Sequence, residues 1–338
     1  MNLILSCVGR RGYLAKMFRN VDPSVRIIGT SSLKFTPGFH DCDENYVLPP
    51  IISDEYPEAV IQLCREKNAT SLLSLYDADI DRLSRFRTEI SACGTTPLLV
   101  SDPVSDRCFD KIQTAAFLGE NGFSTPLTFA DLESAEAALL RGSLTFPLMV
   151  KPRFGFGSAH LFRAHTLEEL RVFFHYRKNM IIQQLIHGQE FGIDLLSDLN
   201  GHAISVAVKR KLAMRAGETD QAISVRNEQL ESLAVNIVNI LGAIGPFDMD
   251  VFITEQGPCV LEMNPRFGGG YPFSHLAGAD HPGKILRMLR GEALDLEVGV
   301  KKDGLIAMKE IDFRVGEPKS KPFSLPSPTH QNGAKEPD

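Results

Sequence analysis

Two aspartates, a glutamate and an asparagine in the second half of the chain are spaced as an oxygen-only metal site requires. In Phe247-Asp248-Met249-Asp250-Val251-Phe252-Ile253, apolar Phe247, Met249, Val251 and Ile253 alternate with Asp248 and Asp250. A period of two places both aspartates on one face of a strand and the apolar set on the other. The segment that returns repeats the pattern, with Leu261 and Met263 set against Glu262 and Asn264. If the turn between the two strands has an odd number of residues, Asp250 and Glu262 stand opposite, with Cβ atoms roughly 5 Å apart. Two carboxylates that close repel unless a cation lies between them. With the amide oxygen of Asn264 they suit octahedral magnesium bridging to ATP phosphates. The competing reading is a solvated polar sheet face, which is common in antiparallel sheets.

A phosphate-binding element lies upstream. Lys151 ends an apolar strand and opens a loop containing Gly155, Gly157 and Ser158. Glycines let backbone amides approach phosphate oxygens, and a lysine there adds a point charge. Taken alone, the loop reads equally well as a flexible hairpin. A second lysine motif, from Gly278 to Gly283-Lys284, copies most of a Walker A loop, but Ile285 replaces the Ser or Thr that would hold magnesium, so it is read as chance. For substrate, Arg10, Arg11, Lys209, Arg210 and Arg215 are candidates to bind a carboxylate. Asp77 and Asp79 are candidates for an amino group, and Gly217-Glu218-Thr219 reads as a mobile loop near the acceptor. For each, a surface charge or structural ion pair is the competing reading. The histidines have no ligand spacing.

Positioning these groups takes two kinds of sheet. The first hundred residues alternate short apolar runs (3–8, 25–30, 72–75, 97–100) with helical patterns (12–20, 54–68, 79–92), which implies a parallel sheet with crossover helices. The loop Gly9-Arg10-Arg11-Gly12 follows the first strand, where such a sheet offers a binding crevice. It lacks the full dinucleotide fingerprint. A helix is expected over 105–120, strands over 146–150, 159–163 and 180–184, and a loose tail or linker over 316–338. Beyond residue 188 the strands lengthen and turn antiparallel, with Asn200-Gly201 as a two-residue hairpin signal.

Composition sets the class. The chain has 338 residues, 43% hydrophobic and 23% charged, enough for two or three packed units. A net charge of −6 argues against a nucleic-acid binder working through a broad basic surface. Six scattered cysteines without a Cys-x-x-Cys pair read as reduced thiols, the start has no signal-peptide pattern, and no run is long enough for a membrane span. A cytoplasmic protein is expected, with neither nucleic-acid nor membrane partners, and a homodimer is left open.

Taken together, these segments resemble the ATP-grasp superfamily, most of all its carbamoyl-phosphate-synthase-like branch, over roughly residues 1–315. Asp110-Lys111 with 115–118 resembles the helix whose lysine reaches the ATP phosphates. The segment from Lys151 to Ser158 resembles the second phosphate lysine and the glycine-rich lid. Gln183-Gln184-Leu185-Ile186, with Gly188 and Glu190, resembles the hinge that reads adenine near Leu185 and Ile186 and holds the ribose hydroxyls with Glu190. Leu261-Glu262-Met263-Asn264-Pro265-Arg266 resembles the magnesium motif, with Asp250 as partner ligand. The resemblance implies an α/β and α+β chain: a Rossmann-like domain (1–103), an ATP-grasp small subdomain (104–185) and a C-terminal subdomain with the metal site (186–315). It implies ATP with two magnesium ions, manganese being able to substitute. Lys111, Lys151 and Arg266 would neutralise charge while a small-molecule carboxylate becomes an acyl phosphate that an amine then attacks. Ala159-His160 stand where the lid often continues with glycine, and a single ATP-grasp unit argues against complete carbamoyl phosphate synthesis. A kinase-like enzyme releasing acyl phosphate, or a nucleotide-binding regulatory protein, are the other expectations.

Overall fold

The computed structural model describes residues 1–155, 160–317, 319–323 and 325. Its first sheet is parallel throughout, in the order Lys321–Pro322, Glu44–Val47, Arg26–Ser31, Asn2–Ser6, Ser71–Ser74, Thr96–Leu98. Helices Gly12–Val21, Tyr56–Glu66, Asp77–Ser84 and Arg87–Ala92 connect the strands. The strand order reverses between Asn2–Ser6 and Ser71–Ser74. That reversal opens a crevice at their carboxyl ends, where 7–12 and 75–77 emerge.

The expected helix over 105–120 is two helices, Asp102–Phe109 and Lys111–Glu120. Asp110 breaks it: the carboxylate accepts from the Ile112 amide at 3.0 Å and from Arg153 Nε at 2.8 Å, an N-cap that makes Lys111 the first helical residue. A four-stranded antiparallel sheet follows, ordered Thr128–Phe129, Met180–Gln184, Leu148–Pro152, Phe162–Ala164, with helices Leu132–Leu140 and Leu167–Phe174 packed on it. The third sheet carries Gly257–Asn264, Gly245–Thr254, Gln189–Ser197, Ala203–Arg215, Glu218–Val225 and Ile306–Met308 in that order. Helix Glu228–Leu241 covers one of its faces. One apolar cluster runs from Ile4 and Leu72 of the first sheet through Phe117 and Leu118 to Leu195, Val206 and Met249 of the third. The crevice of the first sheet is thereby held against the polar face of the third. Among the described residues no helix is long and apolar enough to cross a membrane.

The segment expected as a loose tail is in part a strand. Lys321–Pro322 extends the first sheet, Asn45 Nδ2 donates to the Lys319 carbonyl at 3.0 Å, and Phe323 packs edge-on against Tyr46. Its partners lie some 275 residues away, so nothing local in the sequence announces the pairing.

Beneath the third sheet, His281 is fully buried against Tyr271, and neither ring nitrogen has a partner among the described residues. Burial, with Lys284 and Lys209 adding to it, holds the imidazole down to about 3. The unfolded chain titrates near 6.5, so between these values the unfolded state binds more protons and stability falls as pH falls. His281→Leu should therefore gain about 2 kcal/mol relative to wild type between pH 7 and pH 5. Urea unfolding at the two pH values measures it, and an unchanged difference would rule out His281 as the acid-labile group.

Candidate active site

The carboxylate hairpin forms by a different route from the one its sequence suggested. The turn between Gly245–Thr254 and Gly257–Asn264 has two residues, with Thr254 paired to Gly257. An even turn alone would set Asp250 out of step with Glu262. The register shifts between Asp250 and Val251, where Leu261 is the extra residue, and this bulge brings Asp250 opposite Glu262 and Asp248 opposite Asn264.

Cations hold every acid on this face. Lys151 Nζ lies 3.3 Å from Glu262 Oε1. Burial works against the Glu262 carboxylate, but Lys151 and Lys111 outweigh it and hold it below the ordinary glutamate range. Lys111 donates to the Gly155 carbonyl at 2.7 Å; burial lowers its pKa and Lys151 adds to the fall, against the pull of Glu262. Arg266 spans Asp77 (Nε–Oδ1, 3.1 Å) and Asp248 (Nη1–Oδ2, 3.1 Å), tying the crevice of the first sheet to the hairpin of the third. Lys211 reaches Asp250 Oδ1 at 2.6 Å and Glu190 Oε1 at 2.7 Å. Burial lifts the Asp250 carboxyl to about 6 against Lys211, with Asp248 and Glu262 adding to the rise.

These groups line one cavity of about 870 Å³. Its lining includes Gln184, Leu185, Ile186 and Glu190, apolar Met149 and Phe252, and Lys111, Lys151, Gly155, Asp250, Glu262 and Asn264. Arg10, Arg11 and Glu218 line it as well. Burial there is outweighed by Lys309, Arg11 and Arg10, which hold Glu218 below its ordinary range.

Several substrate candidates are placed elsewhere. Lys209 is buried in an ion pair with Asp194 and does not line the cavity. Strand alternation turns Arg210 to the opposite face, and Arg215 is exposed and pairs with Asp220 at 3.4 Å. Asp77 lines the cavity but is committed to Arg266, while Asp79 is buried against Tyr56 and Ser74. The expected mobile loop at 217–219 is a hairpin: Arg215 pairs with Glu218 across Ala216 and Gly217, both with positive φ, as a tight two-residue turn requires. Gly157 and Ser158 lie outside the described residues. The Walker-like lysine is in helix His281–Leu289 and pairs with Glu297. Lys211 was missed, although its signal was present: it stands two residues from Lys209 in an extended run and therefore on the same face.

Comparison with known proteins agrees with this geometry. Residues 108–270 match the ATP-grasp domain family, and residues 3–98 match the family described as PylC-like, N-terminal domain. The D-alanine–D-alanine ligase of Lacticaseibacillus casei is 26% identical over 185 residues, 48% of this chain and 51% of that protein. The carbamoyl phosphate synthase large chain of Pyrococcus furiosus is 23% identical over 292 residues, 76% of this chain but 26% of that one. The chain thus matches about half the length of the first relative and a quarter of the second. In fold, N5-carboxyaminoimidazole synthetase from Staphylococcus aureus complexed with ADP superposes with a TM-score of 0.71 at 15% identity, over 89% of this chain and 80% of that one. Residues 108–270 are thus an ATP-grasp domain behind a PylC-like N-terminal domain, and the chain as a whole is similar to carbamoyl phosphate synthase large chains.

Proposed function

We propose that the chain is an ATP-dependent, ADP-forming carboxylate–amine ligase acting on small molecules through an acyl phosphate. The observation that carries this reading is the juxtaposition of Asp250 and Glu262, with Lys111 and Lys151 beside them, in a cavity that Arg10, Arg11 and Glu218 also line. The nucleotide assignment uses none of Arg10, Arg11 and Glu218, which leaves these charged groups of the same cavity for a second molecule and favours a ligase over an enzyme that only makes acyl phosphate.

The donor set fits magnesium. Asp250, Glu262 and Asn264 offer oxygen only, and among the described residues no group of three His, Cys, Asp or Glu side chains is arranged to hold a metal. Asp250, Glu262 and the amide oxygen of Asn264 would hold the ion, the kind of donor magnesium takes. We take the number of ions as two, with manganese acceptable to the same oxygens. Magnesium, when bound, neutralises the charge that spreads over the γ-phosphoryl group.

The protein's own groups carry the rest. Met149 and Phe252 receive the base, and Glu190 receives the ribose hydroxyls. Lys111, Lys151 and the Gly155 amide take the phosphate oxygens, and Arg266 adds a further positive charge to the cavity. A carboxylate oxygen of the substrate attacks the γ-phosphorus as the bond to ADP breaks. The amine nitrogen then attacks the acyl carbon, phosphate leaves, and the nitrogen gives up a proton. Fixed, largely buried cations make this largely electrostatic catalysis.

Arg10 should contact the anionic substrate, because it lines the cavity and has no ion pair among the described residues. Arg10→Met should raise KM for that substrate about tenfold or more, the worth of a hydrogen bond to a charged group, and leave the Kd for ADP unchanged. Steady-state kinetics with calorimetric ADP binding measures both. Equal losses in the two would place Arg10 with the nucleotide instead.

A further inference from the structure

We infer that Lys211 and Lys151 guard the metal-binding carboxylates, so that the site takes a divalent cation only together with a nucleotide. The inference rests on the site assigned above and concerns how it is loaded.

Each acid around the cavity centre already has a cation. Asp77 and Asp248 share Arg266, Glu190 and Asp250 share Lys211, and Glu262 faces Lys151. The two lysines are held close: Lys211 Nζ is 2.6 Å from Asp250 Oδ1 and Lys151 Nζ is 3.3 Å from Glu262 Oε1. Their side chains are 6% and 9% exposed, so neither ammonium can turn into water to yield its place. A divalent ion arriving alone would meet two fixed positive charges at short range in a medium that screens them poorly. It would also find too few protein ligands, since no three-residue acidic or histidine cage exists among the described residues.

The backbone is arranged to permit the Lys211 contact. Lys211 belongs to Ala203–Arg215, and Asp250 to Gly245–Thr254; strand Gln189–Ser197 lies between them. To reach Asp250, Lys211 must cross that middle strand. Gly192 sits at the crossing, opposite Asp250 on one side and Lys209 on the other, and a Cβ there would come within 3.4 Å of Lys211 Cε and 3.3 Å of Lys209 Nζ. Glycine at 192 thus clears a path for a lysine to span three strands.

A nucleotide changes the balance. Its phosphate oxygens accept the ammonium groups of Lys151 and Lys211, and the freed oxygens of Glu262 and Asp250 turn to the cation that the same phosphates carry. The exchange conserves charge pairing, one lysine–carboxylate contact giving way to one lysine–phosphate and one carboxylate–metal contact. It makes cation and nucleotide binding mutually dependent.

Manganese binding to the full chain, followed by electron paramagnetic resonance of the free ion, tests this without any turnover. Wild type should leave manganese free until ADP is added. Lys211→Met should bind manganese without nucleotide about tenfold or more tighter than wild type, and Lys211→Arg should restore the guard. Lys211→Gln serves if the methionine variant fails to fold. Wild type that binds manganese equally with and without ADP overturns the inference, as does a Lys211 variant whose nucleotide-free affinity is unchanged. If wild type takes no manganese even with ADP, the assigned metal site fails, and the inference falls with it.

Discussion

Glu262→Gln should lower magnesium-dependent ADP formation by about 10²–10³-fold, the usual effect of removing one preorganised electrostatic group from an active site. The substitution keeps size and one oxygen but removes the charge. Three facts make the loss large. Glu262 stands opposite Asp250 because of the bulge at Leu261, so it is the only partner carboxylate across the hairpin at that position. It is held ionised by Lys151 and Lys111 against its burial, so its charge is available at neutral pH. Without it Lys151 loses its 3.3 Å partner. Nucleotide binding should weaken far less than turnover, because the contacts proposed for base and ribose are made by Met149, Phe252 and Glu190 and not by Glu262. Rates within about threefold of wild type, far below the expected loss, would take the metal away from Glu262.

The second large effect is on folding. Asp194→Ala should cost about 3–5 kcal/mol of stability, the range for removing one partner of a buried ion pair. Asp194 and Lys209 are each about 1% exposed, and Ser274 Oγ also donates to Asp194. The variant leaves the Lys209 ammonium in the core with no carboxylate, in a space closed by backbone: a Cβ on Gly270 would come within 2.6 Å of Lys209 Cε. Asp194→Ala/Lys209→Met should recover most of the loss, because an apolar chain replaces the stranded charge. Urea unfolding of the single and double variants measures the difference. A double variant no more stable than the single would show that packing around Ser274 and the glycines, rather than the charge, sets the cost.

The hairpin that carries Asp250 and Glu262 was legible because strand alternation is a local property, and Phe247, Met249 and Val251 declare the buried face. The bulge that sets its register was not, since nothing in Val260-Leu261-Glu262 differs from an ordinary strand. The parallel sheet was legible from apolar runs alternating with helical ones, yet Glu44–Val47 has only four residues and too little pattern to stand out. The break at Asp110 depends on Arg153, which folds back from 43 residues away. Lys209 and Lys211 have the same residue type, the same strand and the same face, but one pairs inside the core and the other reaches the cavity. That difference comes from which carboxylate each meets: Asp194 on the adjacent strand, 15 residues away, or Asp250 one strand further, 39 residues away. Local pattern therefore gives the face of a side chain, and tertiary pairing gives its task.

A site that makes an acyl phosphate from ATP and a carboxylate must pass one carboxylate oxygen to the released phosphate. Oxygen transfer tests it most directly: wild-type protein is given MgATP, amines, and pooled amino acids and other carboxylates labelled with oxygen-18 in the carboxyl group. The account predicts ADP together with phosphate that carries one labelled oxygen, in amounts that depend on magnesium and vanish in Glu262→Gln. Unlabelled phosphate, or AMP and pyrophosphate in place of ADP, would contradict it.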